Sequence, residues 1–367
     1  MYTLLLGFLS SLIITLLLIK YSHIHVAYSS DDQLSGPQKF HTTPVPRIGG
    51  LAIFMGLCLA GLVRALQNSE DGVLLFYAIA SLLPAFAIGI AEDISKKIGV
   101  LTRLCVIAIG ALIAIHLLGV RITNLDIHFI DSALALPVIS IIFTCFAITG
   151  LANAYNIIDG FNGLASMVGI ISLMAIAYVA FRVGDVTMVI IPMALIGSIT
   201  GFFIWNYPRG LIFLGDGGAY LIGFWIAISS ILIINRNPQI SPWFALIINA
   251  YPVFETLFTI WRRKVHQGKS PGLPDAAHFH SLIYRRLLRW AHVPQENQIE
   301  AESPFSANAK TSPYLWLLSS MAIIPGILWW HLTWVLQLSF AIFCIGYWWI
   351  YKSIVHFNTP GWLKKQS

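Results

Sequence analysis

Charged residues are scarce in this chain. Only 10% of its 367 residues are Asp, Glu, Lys or Arg, whereas 57% are hydrophobic. An ordinary soluble domain is about a quarter charged. The composition therefore excludes an ordinary soluble protein and predicts a polytopic membrane protein, for which chain length is no guide to the number of domains. We interpret residues 1–367 as one integral membrane domain.

Cysteine is also scarce. The four residues Cys58, Cys105, Cys145 and Cys344 all fall in apolar stretches, which excludes a disulfide framework and predicts free, buried thiols. The first apolar segment lacks both a basic start and a small-residue cleavage site, so we expect it to be a retained helix. The net charge of +6 does not indicate nucleic acid binding, because the basic residues gather in a few loops between apolar runs.

Long apolar runs dominate what is present. Windows of about 20 apolar residues can cross a bilayer as helices. We therefore predict an all-α polytopic bundle with a cytoplasmic loop at about 261–312. It has about eleven spans, placed at residues 1–19, 48–66, 73–91, 102–119, 134–152, 163–182, 185–205, 213–234, 242–260, 313–330 and 332–351.

The basic residues orient these spans. Most of the 22 Lys and Arg residues lie at one set of span ends, and the opposite ends carry only Arg64, Arg121, Arg182 and Arg236. Basic residues collect on the cytoplasmic side of membrane proteins. We predict a periplasmic N-terminus and a cytoplasmic C-terminus.

The polar motifs fall at the predicted cytoplasmic ends. Scattered helix caps would not favour one face, so we predict that the motifs form one site. They are His41–Gly50 before the second span, Glu92–Lys97 after the third, Asn153–Gly163 after the fifth, Asn206–Gly218 before the eighth, and the long loop with Arg262, Arg263, His278 and His280.

The acids of these motifs predict a metal and a phosphate substrate. Asn153, Asn156 and Asp159 recur every third residue, which places them about 60° apart on one side of a helix. Carboxylates such as Asp216 suit Mg²⁺, which takes one or two of them and completes its shell with water and phosphate. Zinc is disfavoured, because no cysteine accompanies His278 and His280. Neighbouring Lys and Arg residues would hold the remaining phosphate charge.

Each motif also has a purely structural interpretation when it is taken alone. Asn153–Gly163 could cap a helix, Glu92 and Asp93 could form a solvated pair, and Asp216 could be an N-cap. The histidines could be exposed, and Lys96 and Lys97 could serve topology only. Residues 279–290 alternate apolar and basic residues, which predicts either an interfacial helix on membrane lipids or a helix packed on the bundle.

Together the motifs resemble those of the polyprenyl-phosphate N-acetylhexosamine-1-phosphate transferases. The shared order is His-x₄-Pro-Arg-x-Gly-Gly, an acidic pair, Asn-x-x-Asn-x-x-Asp-Gly, Gly-Asp-x-Gly and His-x-His, between Lys39 and Arg289. The stretch from Arg262 to His280 is most similar to the branch that initiates O-antigen, enterobacterial common antigen or teichoic acid linkage units. It is less similar to the peptidoglycan translocase branch.

The resemblance implies an enzyme of the bacterial inner membrane with a cytoplasmic active site. Its substrates would be a UDP-N-acetylhexosamine, with UDP-GlcNAc the first choice, and undecaprenyl phosphate, and it would release UMP. Asp216 would bind Mg²⁺, or Mn²⁺ in its place, and the catalytic residues would be Glu92, Asp93, Asn153, Asn156 and Asp159. Substrate would be bound by Lys39, His41, Arg47, Lys96, Lys97, Asn162, Asn206, Arg262, Arg263, His278 and His280. Whether the protein forms a homodimer stays open.

Four positions depart from the family pattern. Glu92 replaces the first Asp of an Asp-Asp pair, Asn162 replaces an Asp, Ser281 replaces a third His, and Glu255 stands where Asp is common. The rival interpretation is a transporter of an anionic solute, which would place polar groups near the membrane midplane and in two related halves. The acids here lie at span ends, and no internal repeat is visible, so we favour the transferase.

Overall fold

The computed structural model describes residues 2–24, 45–67, 70–266, 268, 277–285 and 304–356, and the regular elements within these ranges are helices. The first nine are α1 (Tyr2–Lys20), α2 (Gly49–Leu66), α3 (Glu70–Ser95), α4 (Val100–Leu118), α5 (His128–Leu134), α6 (Pro137–Ile158), α7 (Leu164–Val183), α8 (Val186–Asn206) and α9 (Gly215–Arg236). The remaining α-helices are α10 (Trp243–Ile247), α11 (Ala250–Trp261), α12 (Phe279–Ile283), α13 (Pro304–Leu328) and α14 (Thr333–Val355).

Ten of these helices are long and apolar enough to cross a membrane, namely α1 to α4, α6 to α9, α13 and α14. The prediction of a polytopic all-α membrane protein is therefore confirmed. The span predicted at 242–260 is not one continuous helix. It is divided into α10 and α11 by a turn at Ile248 and Asn249.

Pro252 accounts for this break. A proline has no N–H, so the carbonyl four residues earlier loses its helical partner. That carbonyl belongs to Ile248, and it accepts a hydrogen bond from the Ser172 hydroxyl at 2.9 Å instead. Tyr155 Oη lies 3.2 Å from both Ser172 Oγ and Asn249 Oδ1. The broken helix is thus stabilised by polar groups of α6 and α7, as a buried carbonyl requires.

The centre of the bundle is α9. It is almost entirely buried and packs against α2, α3, α6 and α7. Small residues allow other helices to approach closely. A Cβ added at Gly197 of α8 would lie 2.1 Å from the Leu4 carbonyl oxygen of α1. Gly197 and Gly201 therefore form a glycine contact of the kind common between membrane helices.

Two smaller predictions need correction. The four cysteines are free, as predicted, but none is buried within the protein, and Cys105 is exposed. An apolar span need not face the protein core, because its outer side can face lipid. The described part of residues 279–290 runs to 285 and begins with the short helix α12, whose residues are all buried. This favours packing on the bundle for that part, and residues 286–290 lie outside the described ranges.

The loops at one end of the bundle contain the predicted motifs. Helices α2, α7 and α9 begin there, and α3, α6 and α8 end there. We call this the site end. The opposite end is where α2 and α9 finish and α3 and α8 start.

Candidate active site

A short backbone pairing joins the first and fourth motifs. Phe213 N–H donates to the Pro46 carbonyl at 2.8 Å, and Gly49 N–H donates to the Phe213 carbonyl at 2.9 Å. Gly50 N–H donates to the Leu214 carbonyl at 2.9 Å. These bonds hold the first turns of α2 and α9 side by side. They place Arg47 beside the start of α9.

Asp93 caps α9 from another helix. Its Oδ1 accepts from the Asp216 N–H at 2.9 Å and its Oδ2 from the Gly217 N–H at 3.0 Å. The first N–H groups of a helix have no partner within the helix and carry its positive dipole end. The Asp93 carboxylate therefore accepts hydrogen bonds from these N–H groups and also places a negative charge at the positive end of the helix dipole. Asp93 is only 3% exposed, so the interpretation of residues 92 and 93 as a solvated pair is wrong for Asp93.

Asp216 is held by two arginines. Its Oδ1 lies 3.3 Å from Arg47 Nη2, and its Oδ2 lies 2.6 Å from Arg103 Nη1. Asp216 therefore presents its carboxylate to cations, and the cap of its helix comes from Asp93. Arg103 was not among the site residues predicted from the sequence, where it counted only as one of the basic residues that orient the spans. The sequence did indicate that Arg103 has a partner, because it lies within a predicted span, 102–119, where a charge requires one.

Glycines permit this close arrangement. Gly215 has φ +76°, a conformation that favours glycine. A Cβ there would lie 2.2 Å from the Arg47 carbonyl oxygen and 2.6 Å from Asp93 Oδ2. A Cβ on Gly89 of α3 would lie 2.5 Å from Gly217 Cα. The glycines thus allow α3 to bring Asp93 against the start of α9.

Asp159 completes the group of acids. It ends α6 and is half-buried. Burial raises the pKa of Asp159 to about 8; Arg47 opposes this shift, and the charges of Asp216 and Asp93 add to it. In the described residues no hydrogen bond reaches the Asp159 carboxylate, nor the side-chain amides of Asn153 and Asn156. One side of α6 therefore carries polar side chains that accept or donate no hydrogen bond in the described part of the chain.

Asn162 and Asn206 organise the loops beside this side of α6. Asn206 Oδ1 accepts from the Gly163 N–H at 2.6 Å, and its Nδ2 donates to the Ile212 carbonyl at 2.8 Å. Asn162 Nδ2 donates to the Pro208 carbonyl at 3.1 Å, and its N–H donates to Asn308 Oδ1 at 3.0 Å. These contacts hold the Asp159 loop against the loop that precedes α9 and against α13.

The histidine motif also reaches this loop. His278 and His280 are buried, so the interpretation as exposed loop residues is wrong. Their rings stack with centroids 5.2 Å apart. His280 packs on Gly160, where an added Cβ would lie 2.6 Å from His280 Nε2. His278 Nδ1 lies 2.9 Å from Glu255 Oε1.

The remaining candidates lie further out. Glu92 Oε2 accepts from the Ile98 N–H at 2.7 Å and so holds the turn after α3, where Lys96 and Lys97 are exposed. Arg262 and Arg263 are buried in a turn of π-helix, Arg262–His266. Lys39 and His41 lie outside the described residues.

The oxygen donors at this end fit a hard cation. The charge of Asp216 raises the pKa of Asp159, so the two side chains lie near one another, and each can offer one carboxylate. Mg²⁺ usually takes one or two carboxylates from a protein rather than a full cage. In the described ranges no group of three His, Cys, Asp or Glu side chains is arranged as a metal cage. Two carboxylates at one end of the bundle are donors of the kind that Mg²⁺ takes, with water and phosphate completing its shell.

These features define a polytopic helical membrane protein with acids and arginines gathered at one end. The model of glycosyl transferase family 4 matches residues 75–234. A probable undecaprenyl-phosphate N-acetylglucosaminyl 1-phosphate transferase of Bacillus subtilis is 31% identical over 262 residues, 70% of each chain. The undecaprenyl-phosphate alpha-N-acetylglucosaminyl 1-phosphate transferase of Yersinia pestis is 30% identical over 256 residues, 68% of each chain. The chain therefore belongs to glycosyl transferase family 4.

A more distant relative agrees with this. The undecaprenyl-phosphate alpha-N-acetylglucosaminyl 1-phosphate transferase of Thermotoga maritima is 26% identical over 258 residues, which cover 69% of this chain and 72% of that one. The resemblance drawn from the motifs is thus confirmed at the level of the family.

Proposed function

We propose that this protein transfers N-acetylhexosamine 1-phosphate from a UDP-sugar, UDP-GlcNAc, to undecaprenyl phosphate and releases UMP. An oxygen of the lipid phosphate attacks the phosphorus that carries the sugar. A new phosphoanhydride bond forms to the lipid, and the one to UMP breaks. The product would be the first lipid-linked sugar of a cell-envelope polysaccharide.

The observation that carries this proposal is the gathering of Asp93, Asp159 and Asp216 with Arg47 and Arg103. Two cationic side chains and several acids at one membrane boundary suit a substrate with two phosphates and its metal. The relatives named above support the same substrates.

The acids have separate roles in this proposal. Asp93 fixes the start of α9, so that Asp216 keeps its position. Asp216, with Asp159 beside it, would hold Mg²⁺, which neutralises phosphate oxygen charge when it is bound. Arg47 and Arg103 hold phosphate oxygens as charge moves to the leaving UMP. The side-chain amides of Asn153 and Asn156, which no hydrogen bond within the described ranges reaches, are available to hydrogen-bond substrate.

We place the site end on the cytoplasmic side of the bacterial inner membrane. The Lys and Arg distribution supports this orientation. A nucleotide sugar made in the cytoplasm would then meet a lipid phosphate at the membrane boundary.

UMP release tests the proposal. Purified protein with Mg²⁺ and UDP-GlcNAc should release UMP only when undecaprenyl phosphate is present. Added UMP should drive the reaction backwards, because one phosphoanhydride is exchanged for another. Asp216→Asn keeps the shape of the side chain but removes its charge, so turnover should fall by at least about a hundredfold. Asp185→Asn, at the opposite end, is the matched control.

Other outcomes would contradict the proposal. Release of UDP instead of UMP would mean that the sugar is transferred without its phosphate. No release with any UDP-acetamido sugar, together with uptake of an anionic solute by vesicles, would favour the transporter. Normal turnover of Asp216→Asn at ordinary Mg²⁺ concentration would remove Asp216 from the metal site.

A further inference from the structure

A buried carboxylate beside the site is held by donors from three parts of the chain. Glu255 of α11 is 1% exposed. Its Oε1 lies 2.9 Å from His278 Nδ1 and accepts from Thr259 Oγ1 and the Phe279 N–H, both at 3.3 Å. Its Oε2 accepts a hydrogen bond from Tyr347 Oη of α14. A carboxylate has about two acceptor positions on each oxygen, so Oε1 is fully used and Oε2 accepts one hydrogen bond in the described ranges.

This arrangement selects one form of the histidine. Because Glu255 can only accept, His278 Nδ1 must carry the proton of their hydrogen bond. In a neutral ring Nε2 is then left as an acceptor, and in a charged ring it is a second donor. The charged ring can donate from Nε2 to a phosphate oxygen, and the neutral ring can accept at Nε2 from a hydroxyl or amide N–H of the substrate.

His278 is linked to the loop of Asp159 through contacts made by His280. The His278 and His280 rings are nearly parallel, with 15° between their planes. The His280 ring in turn contacts the edge of Phe161, with centroids 5.5 Å apart, and covers Gly160. A rotation of His278 would therefore disturb the residues that follow Asp159.

We propose that Tyr347 is a positioning residue for the sugar-phosphate transfer, an inference that rests on the proposed function. Tyr347 fixes the position of Glu255. Glu255 in turn holds His278 as the Nδ1–H tautomer, so that Nε2 is available to bind substrate. Tyr347 lies on the last described helix, far outside residues 75–234 that match the family model. It is fully buried and packs against Phe254, Phe258 and Phe279, so its hydroxyl has a fixed position.

Tyr347→Phe removes this hydroxyl and little else. We expect kcat/KM for UDP-GlcNAc to fall roughly tenfold or more, because a hydrogen bond to a charged group is lost. Tyr314→Phe, at an exposed tyrosine of α13, should leave it unchanged. In a His278→Asn background, which keeps a donor near Glu255 but removes Nε2, Tyr347→Phe should change the residual rate less than twofold. Equal losses in both backgrounds would show a merely structural role and overturn the proposal.

The tautomer gives a readout that does not depend on turnover. In protein with ¹⁵N-labelled histidine, the signal that disappears in His278→Asn should report a protonated Nδ1. In Tyr347→Phe it should move towards the Nε2–H form. An unchanged signal would overturn the proposal. If Tyr347→Phe loses its melting transition, Glu255→Gln, which keeps the size of the side chain, takes its place in both measurements.

The two proposals fail in different ways. Wild-type protein that releases no UMP but shows His278 as the Nδ1–H tautomer would contradict the proposed function. Wild-type protein that turns over normally, with an equally active and folded Tyr347→Phe, would contradict only the role of Tyr347.

Discussion

Carboxylates occur at both ends of the bundle, but their surroundings differ. At the opposite end, Asp185 accepts from Arg236 Nε at 2.8 Å, from Asn237 Nδ2 at 3.0 Å and from the Met188 N–H at 3.1 Å. There Asp71 is bonded to Arg64 and Thr187. At the site end, no hydrogen bond within the described ranges reaches the Asp159 carboxylate.

The difference separates structure from function. A carboxylate whose acceptor positions are filled by the fold stabilises that fold. A half-buried carboxylate without such partners costs stability, and it is expected where a ligand supplies the partners. Asp93 shows that the site end contains both kinds, because its oxygens are used by the N–H groups of α9.

Of Asp159, Asn162 and Asp185, the largest expected effect is at Asp159. Asp159→Asn removes a carboxyl group whose charged form is available to a metal or substrate, so UMP release should fall about a hundredfold, as for the loss of a charge-stabilising group. The melting temperature should stay the same or rise, because Asn removes the cost of burying an ionisable carboxyl group. Parallel assays of turnover and thermal unfolding check this. A fall in both would assign Asp159 to the fold and remove the contrast with Asp185.

A smaller effect is expected at Asn162, where the family pattern has Asp. Asn162 is 3% exposed, and its amide N–H donates to the Pro208 carbonyl. A carboxylate at this position would face that carbonyl without a donor. Asn162→Asp should therefore be destabilised by about 1–3 kcal/mol, the cost of an unsatisfied buried group. Turnover should fall with stability.

Asn162→Ala is the matched control, because it removes the donor without adding charge. Thermal unfolding should rank the wild type above Asn162→Ala, and Asn162→Ala above Asn162→Asp. Asn162→Asp could instead be as stable as the wild type and more active. That result would mean that Asn162 lowers the activity of the site and is not needed to pack the loops.

The smallest effect is expected at Asp185. Burial opposes its ionisation, but hydrogen bonds from Arg236, Asn237 and the Met188 N–H hold the pKa of Asp185 below its usual value. Asp185→Asn keeps an N-cap and loses a partly exposed ion pair, so it should cost about 1 kcal/mol or less and leave turnover unchanged.

The pH dependence follows from the lowered pKa. The ion pair contributes its full stability above the unfolded pKa of about 3.9. That contribution is lost as the pH falls towards the lower folded pKa. The melting temperatures of wild type and Asp185→Asn should therefore differ at pH 7 and converge in acid. A loss of turnover in Asp185→Asn at neutral pH would contradict the division between the two ends.

The positions of the motifs could be predicted from the sequence, but most of their contacts could not. Apolar runs located the spans, and alternation of span ends placed Arg47, Asp93, Asp159 and Asp216 at one boundary. The break at Ile248 was not predicted, although Pro252 was visible, because a proline kinks or breaks a helix according to what accepts the freed carbonyl. Here the freed Ile248 carbonyl accepts from Ser172 of α7, which lies 76 residues earlier in the chain.

The sequence by itself determined the class of the protein, since hydrophobicity and charge act locally and need only a bilayer to order them. The site was decided by tertiary structure. Asp93 caps a helix that begins 122 residues later, measured to Gly215, and Glu255 is bonded to Tyr347 across 92 residues. Contacts of this kind depend on which helix faces meet and how closely glycines let them approach. Residue spacing along the chain does not encode either quantity.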